Sequence, residues 1–79
     1  MPGLRIYRRH LRTIPGYSAR PGYCARGSRA WFARHGLDWS KFLREGIAAE
    51  EMLATGDGLA IALVEWARKC EQEEQRGQQ

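Results

Sequence analysis

Apolar residues return along this chain at helical intervals, in short blocks cut by glycine and proline. Leu4, Tyr7, Leu11 and Ile14 stand three and four apart, a helical stripe with arginines on its flanks. Leu4 and Ile6 also alternate with Arg5, so a short strand competes with the helix over the first few residues. Pro15 ends either one. Residues 15–27 read as loop. Pro15-Gly16 and Pro21-Gly22 are turn signals, because proline presets the first central residue and glycine takes positive φ at the next. Tyr17 and Tyr23 follow those pairs at once. Ser28 then suits an N-cap, Ala30 to His35 a helix, and Gly36 its stop. Asp38 is placed to cap a second short helix with Trp39, Phe42 and Leu43 on one face, closed by Gly46. Ala48 to Thr55 makes a third, with Met52 and Leu53 inward and Glu50 and Glu51 in its first turn, where the helix dipole favours acids. Asp57, between Gly56 and Gly58, caps the last and longest helix. There Leu59, Leu63, Trp66 and Cys70 recur at i, i+4, i+7 and i+11, and Ile61, Ala62, Val64 and Ala67 widen the stripe. Residues 71–79 are polar and expected to fray.

These elements predict an all-α fold: a compact bundle of four or five short helices with an irregular Pro/Gly-rich N-terminal loop. The expected organisation is a basic N-terminal arm or short helix plus loop over residues 1–21, a helical domain over 22–70, and the tail. Trp31, Phe32, Leu37, Trp39, Phe42, Leu43, Ile47, Leu53, Leu59, Leu63 and Trp66 are the expected core. With 79 residues there is room for one domain, and its core is small. Three tryptophans therefore supply a large share of the burial.

Charge adds a second pattern. The first 36 residues hold Arg5, Arg8, Arg9, Arg12, Arg20, Arg26, Arg29 and Arg34 and no acid, a formal charge of +8. From Leu37 onward five basic residues face nine acids, a net −4. A one-sided arginine cluster is the electrostatic footprint of an anionic partner. Guanidinium pairs bidentately with phosphate and stacks on bases, which Lys does less well. Tyr7, Tyr17 and Tyr23 lie among the arginines, as a surface for single-stranded nucleic acid or an RNA loop requires. The competing reading is a solvated basic face whose counterpart is the acidic half of a neighbouring copy, or of the same fold. Apolar runs stay far below the roughly 18 residues of a membrane span, and no apolar stretch follows the basic start as a signal peptide needs.

Candidate chemistry is sparse. Cys24 and Cys70 are expected as free, partly buried thiols; a single disulfide between them and activation of Cys24 by Arg20 and Arg26 are the alternatives. No Cys-x-x-Cys pair or metal-ligand His spacing is present, so neither a metal nor another cofactor is expected. Thr55-Gly56-Asp57-Gly58 lacks the lysine of a phosphate loop, and a helix break with an N-cap accounts for it. No nucleophile elbow or Ser–His–acid pattern is legible, so no enzyme is expected. The two helices around Gly36 invite a helix-turn-helix reading that would put Lys41 and Arg44 at a DNA groove. Against it, Phe32 stands where that motif wants a small residue.

Gly22-Tyr23-Cys24-Ala25-Arg26-Gly27-Ser28-Arg29-Ala30-Trp31-Phe32-Ala33-Arg34-His35-Gly36-Leu37-Asp38-Trp39, then Phe42 to Ile47 and Ala54 to Ala60, resemble a group of very small proteins of tailed phages and prophages, most of unassigned function. The resemblance covers most of residues 22–67. It implies the bacterial cytoplasm or a virion, free thiols, and partners among phage or host DNA, virion proteins and host defence components. The expected function is a small non-enzymatic binding protein that engages a macromolecular partner through its Arg-rich N-terminal half. A protein partner is favoured, in a virion, an assembly step or a host factor; a DNA- or RNA-binding accessory or regulator is the alternative. The charge-segregated halves also suit a homo-oligomer. Arg5, Tyr7, Arg8, Arg9, Arg12, Tyr17, Arg20 and Tyr23 are the expected contact residues.

Overall fold

Three glycines at positive φ divide the helical part of the chain: Gly36, Gly46 and Gly56, at φ 67°, 77° and 71°. In a computed structural model that describes residues 3–15 and 25–77, seven elements follow in order. They are β1 (Arg5–Ile6), α1 (Arg8–Thr13), α2 (Ala25–Arg34), α3 (Trp39–Glu45), β2 (Ile47–Ala48), α4 (Ala49–Leu53) and α5 (Gly58–Gly77). The chain is mostly helical, as expected. The strand alternative at the N-terminus also holds: β1 pairs antiparallel with β2, Arg5 opposite Ala48 and Ile6 opposite Ile47. The Ala49 N–H donating to the Leu4 carbonyl extends that contact.

Local chemistry explains most of the boundaries. α2 ends in a Schellman motif: the Leu37 N–H donates to the Phe32 carbonyl at 2.9 Å and the Gly36 N–H to that of Ala33 at 3.2 Å, with Gly36 left-handed. Asp38 caps α3 by accepting from the Lys41 N–H. Asp57 caps α5 by accepting from the Leu59 N–H at 2.8 Å. Ser28 does not cap α2. That helix begins at Ala25 and Ser28 is buried within it. Nor does α5 stop where its apolar stripe stops; the residues from Glu71 onward continue the helix to Gly77.

The core is built from every described element. Ile6, Leu11 and Ile14 come from the N-terminal stretch, Trp31 and Phe32 from α2, Phe42 from α3, Ile47, Ala49 and Met52 from β2 and α4. Ala60, Leu63, Val64 and Ala67 come from α5, on which α4 and α1 pack. The described part of the expected N-terminal arm thus lies in the same core as the helical domain. Phe32 is its aromatic hub, with ring centroids 4.8 Å from Phe42, 5.1 Å from Trp39 and 5.7 Å from Trp31.

Three residues expected in the core are exposed: Leu43, Leu53 and Leu59. For α5 the reason is rotational. Its buried face runs through Ala60, Leu63, Val64 and Ala67, one position on from the stripe of largest apolar side chains. Small alanines let α5 lie close to its neighbours, and the bulkier Leu59 and Ile61 turn outward. Trp66, Leu37 and Trp39 are partly buried against the core.

Candidate functional site

The expected contact surface divides once the side chains are placed. Arg5 turns onto the protein: its Nε donates to the Glu45 carbonyl at 3.2 Å and its Nη2 to the Gly46 carbonyl at 3.0 Å. That fork ties β1 to the end of α3 and leaves Arg5 half-buried. Arg9 lies over the Tyr7 ring, 5.1 Å from its centroid, and pairs with Glu74 at 3.2 Å. Both partners of that pair are more than half exposed, so its contribution is small, about 0–1 kcal/mol. It does show where the acids of α5 go. Glu74 reaches α1, and its field and that of Glu71 act on His10. Part of the charge segregation is therefore neutralised within the fold.

Arg8 and Arg12 on α1, and Arg26, Arg29 and Arg34 on α2, are exposed and form no ion pair among the described residues. Tyr17, Arg20, Tyr23, Cys24 and both Pro-Gly pairs belong wholly or partly to residues 16–24, outside the described residues. Lys41 and Arg44 are exposed on α3. Phe32 fills the α2–α3 contact with a full aromatic ring, which is the feature that argues against a helix-turn-helix reader.

Two clusters escaped the sequence reading. In the first, Asp57 joins α2 to the start of α5. Its Oδ2 accepts from the Trp31 indole N–H at 3.1 Å and lies 3.8 Å from His35 Nε2, while Oδ1 caps α5. The Trp31 and His35 rings meet at a 43° tilt with their centroids 4.3 Å apart. The indole hydrogen bond, then the Leu59 N–H, hold the Asp57 carboxyl below its ordinary pKa. A His–Asp pair could serve a nucleophile, but the nearby Thr55 hydroxyl donates to the Met52 carbonyl and accepts from the Asp57 N–H. The cluster ties α2 to the start of α5.

In the second, His10 is buried at 3% exposure and its Nδ1 accepts from the Tyr7 N–H at 2.8 Å, closing the first turn of α1. An unprotonated Nδ1 is required for that bond. Burial, then the Arg9 charge, lowers the His10 pKa from 6.5 against the weaker pull of Glu74 and Glu71. The folded state therefore resists the proton that the unfolded chain accepts. The stability linked to neutral His10 is complete above about pH 6.5 and is lost as pH falls through that value towards the lowered folded pKa. His10→Asn keeps an acceptor near Nδ1 and does not titrate. The difference in melting temperature between wild type and this variant is expected to narrow from pH 7.5 to 5.5; a constant difference would refute the assignment.

Cys70 is a free, partly buried thiol. Burial, then Glu73 and Glu74, raise its pKa, which favours the protonated thiol. Among the described residues no three His, Cys, Asp or Glu side chains group as metal ligands, and no helix is long and apolar enough to cross a membrane. Compared with family models, curated proteins and solved structures, the chain matches none.

Proposed function

We propose that this protein is a small non-enzymatic binding module that engages an anionic macromolecular partner through the arginines of its N-terminal half. The observation that carries the reading is the set of five exposed arginines, Arg8, Arg12, Arg26, Arg29 and Arg34, in no ion pair among the described residues. Exposed cations that a fold leaves unpaired create a field available to a partner. Arg5 is committed internally and the charge of Arg9 is partly answered by Glu74, so the contact surface moves from the extreme N-terminus towards α2. The phage-type setting, with its bacterial cytoplasm or virion, belongs to the same proposal and rests on the resemblance of residues 22–67.

Charge position, as opposed to total charge, is the testable content. Changing Arg8, Arg12, Arg26 and Arg29 together to Gln removes four exposed charges from the first half. Changing Lys41, Arg44, Arg68 and Lys69 to Gln removes four from the second, giving the same net charge. On a heparin column the first variant is expected to elute at much lower salt than the second, which should stay close to wild type. Equal elution of the two would mean that only bulk charge matters, and the reading would fall.

A further inference from the structure

The outward face of α2 carries a more specific message than the rest of the basic surface. Ser28, Trp31 and Phe32 turn inward and are buried. Arg26, Gly27, Arg29, Ala30, Ala33 and Arg34 are left outside. This exposed face contains three arginines, two alanines and a glycine, with no acid, no lysine and no large apolar side chain. Arg26 and Arg34 are eight residues apart, about 12 Å along the helix axis.

We infer that α2 is a docking surface for the phosphate backbone of double-stranded DNA, bound without sequence preference. This rests on the proposed reading of an arginine-mediated anionic partner and names that partner's class. Three features favour DNA over an acidic protein. A stable protein interface is anchored by buried aromatic, Met and Arg side chains ringed by polar ones, and among the described residues this face offers arginine but no aromatic or Met to bury. Its attraction comes chiefly from charge, which is the regime in which counterion release drives binding to DNA. Guanidinium is also the cation whose planar fork fits phosphate oxygens two at a time. Among the described residues the face carries no aromatic side chain, which favours a duplex over a single strand, whose bases would need a stacking platform. Each strand of a duplex presents one phosphate per 3.4 Å or so of axis, so a span of about 12 Å meets several. The B-form major groove is wide enough to admit an α-helix, and among the described residues of this face nothing is bulkier than arginine.

Electrostatic neighbours of the face bear on which arginines matter most. Arg34 acts on Asp57 at the C-terminal end of α2, so part of its field is already answered. Arg26 and Arg29 lie towards the other end, and they are the residues to test. Both are exposed, so their replacement leaves the core intact.

The experiment is a fluorescence-anisotropy titration of a 25-base-pair DNA duplex of arbitrary sequence, repeated across salt concentrations. Wild type is compared with Arg26→Gln/Arg29→Gln and with the charge-matched Arg68→Gln/Lys69→Gln. A 25-base single strand and poly-glutamate serve as competing probes, and circular dichroism checks folding. Wild type is expected to bind the duplex with an affinity that falls steeply with salt. The α2 double variant is expected to bind roughly 50-fold more weakly near 100 mM salt, with the salt slope reduced by about 2. The α5 double variant is expected to stay within a few-fold of wild type. Equal weakening by both variants overturns the assignment to α2 while leaving an anionic partner standing. Preference for the single strand, or for poly-glutamate over either DNA, overturns the duplex inference but not the broader reading. Binding to none of the three, combined with equal elution of the two four-site variants from heparin, removes both.

Discussion

Replacing Phe32 with alanine is expected to cost this chain a large share of its stability. The side chain is 1% exposed and meets Trp31, Trp39 and Phe42 within 6 Å between ring centroids. It is therefore the point at which α2 and α3 are held together. Removal of a buried phenylalanine costs about 3–5 kcal/mol, through lost transfer energy and an unfilled cavity. A chain this long has only about 4–12 kcal/mol in total. The melting temperature should fall by roughly 15–30 °C, with the loss of cooperativity visible in near-ultraviolet circular dichroism. Phe32→Leu, which keeps most of the volume, should lose far less. Equal loss from both would mean that aromatic edge contacts matter more than volume. No effect from Phe32→Ala would contradict the packing of α2 on α3.

Sequence and structure agree most closely where the information is local. Asp38 and Asp57 are N-caps because a short carboxylate reaches the free amides two or three residues ahead. Gly36 and Gly46 end helices because the backbone there takes positive φ. These signals need only neighbours in the chain. Most of what the sequence left open or missed needs partners far away. β1 is two residues long and becomes a strand only because Ile47 and Ala48, some forty residues on, lie beside it. His10 was missed at short range: it stood among arginines in the sequence, yet it is buried and its Nδ1 accepts from the Tyr7 amide three residues back. The Trp31–Asp57 hydrogen bond spans 26 residues.

The α5 face was misplaced for a different reason. Hydrophobic size marked Leu59 as core, whereas close helix approach selected Ala60 and Ala67. The candidate site shows the same division. The excess of arginine was plain in the composition, but which arginines are spent internally was not. Arg5 and Arg9 are committed to the Glu45 and Gly46 carbonyls and to Glu74. Only the folded positions of those acceptors reveal it, and they leave α2 as the better-presented basic surface.

Gly46→Ala is the second large effect, and it tests how firmly the N-terminus belongs to the fold. Gly46 has φ 77° and ψ −173°, a region that is essentially closed to residues with a side chain and costs about 1–3 kcal/mol to enter. Space is the second obstacle. A Cβ there would lie 2.7 Å from the Ile6 carbonyl oxygen and 2.7 Å from a Tyr7 ring carbon. The Tyr7 ring is partly exposed and can swing away. The Ile6 oxygen cannot, because it belongs to β1, which is paired with β2 and tied down by the two Arg5 hydrogen bonds. Relieving the contact means lifting β1, and with it the fully buried Ile6. Overpacking adds about 1–3 kcal/mol, so the total is about 2–6 kcal/mol and the melting temperature should drop by 10 °C or more. Gly36→Ala supplies the comparison. Gly36 also has positive φ, but a Cβ on it meets nothing within 4 Å, so it carries the backbone cost alone, about 1–2 kcal/mol. Gly46→Ala should therefore be the more damaging of the two, and in hydrogen exchange it should expose the amides of Ile6 and Ile47 before those of α5. If the two variants melted together, β1 would not be fixed against the end of α3, and Arg5 would return to the pool of arginines open to a partner.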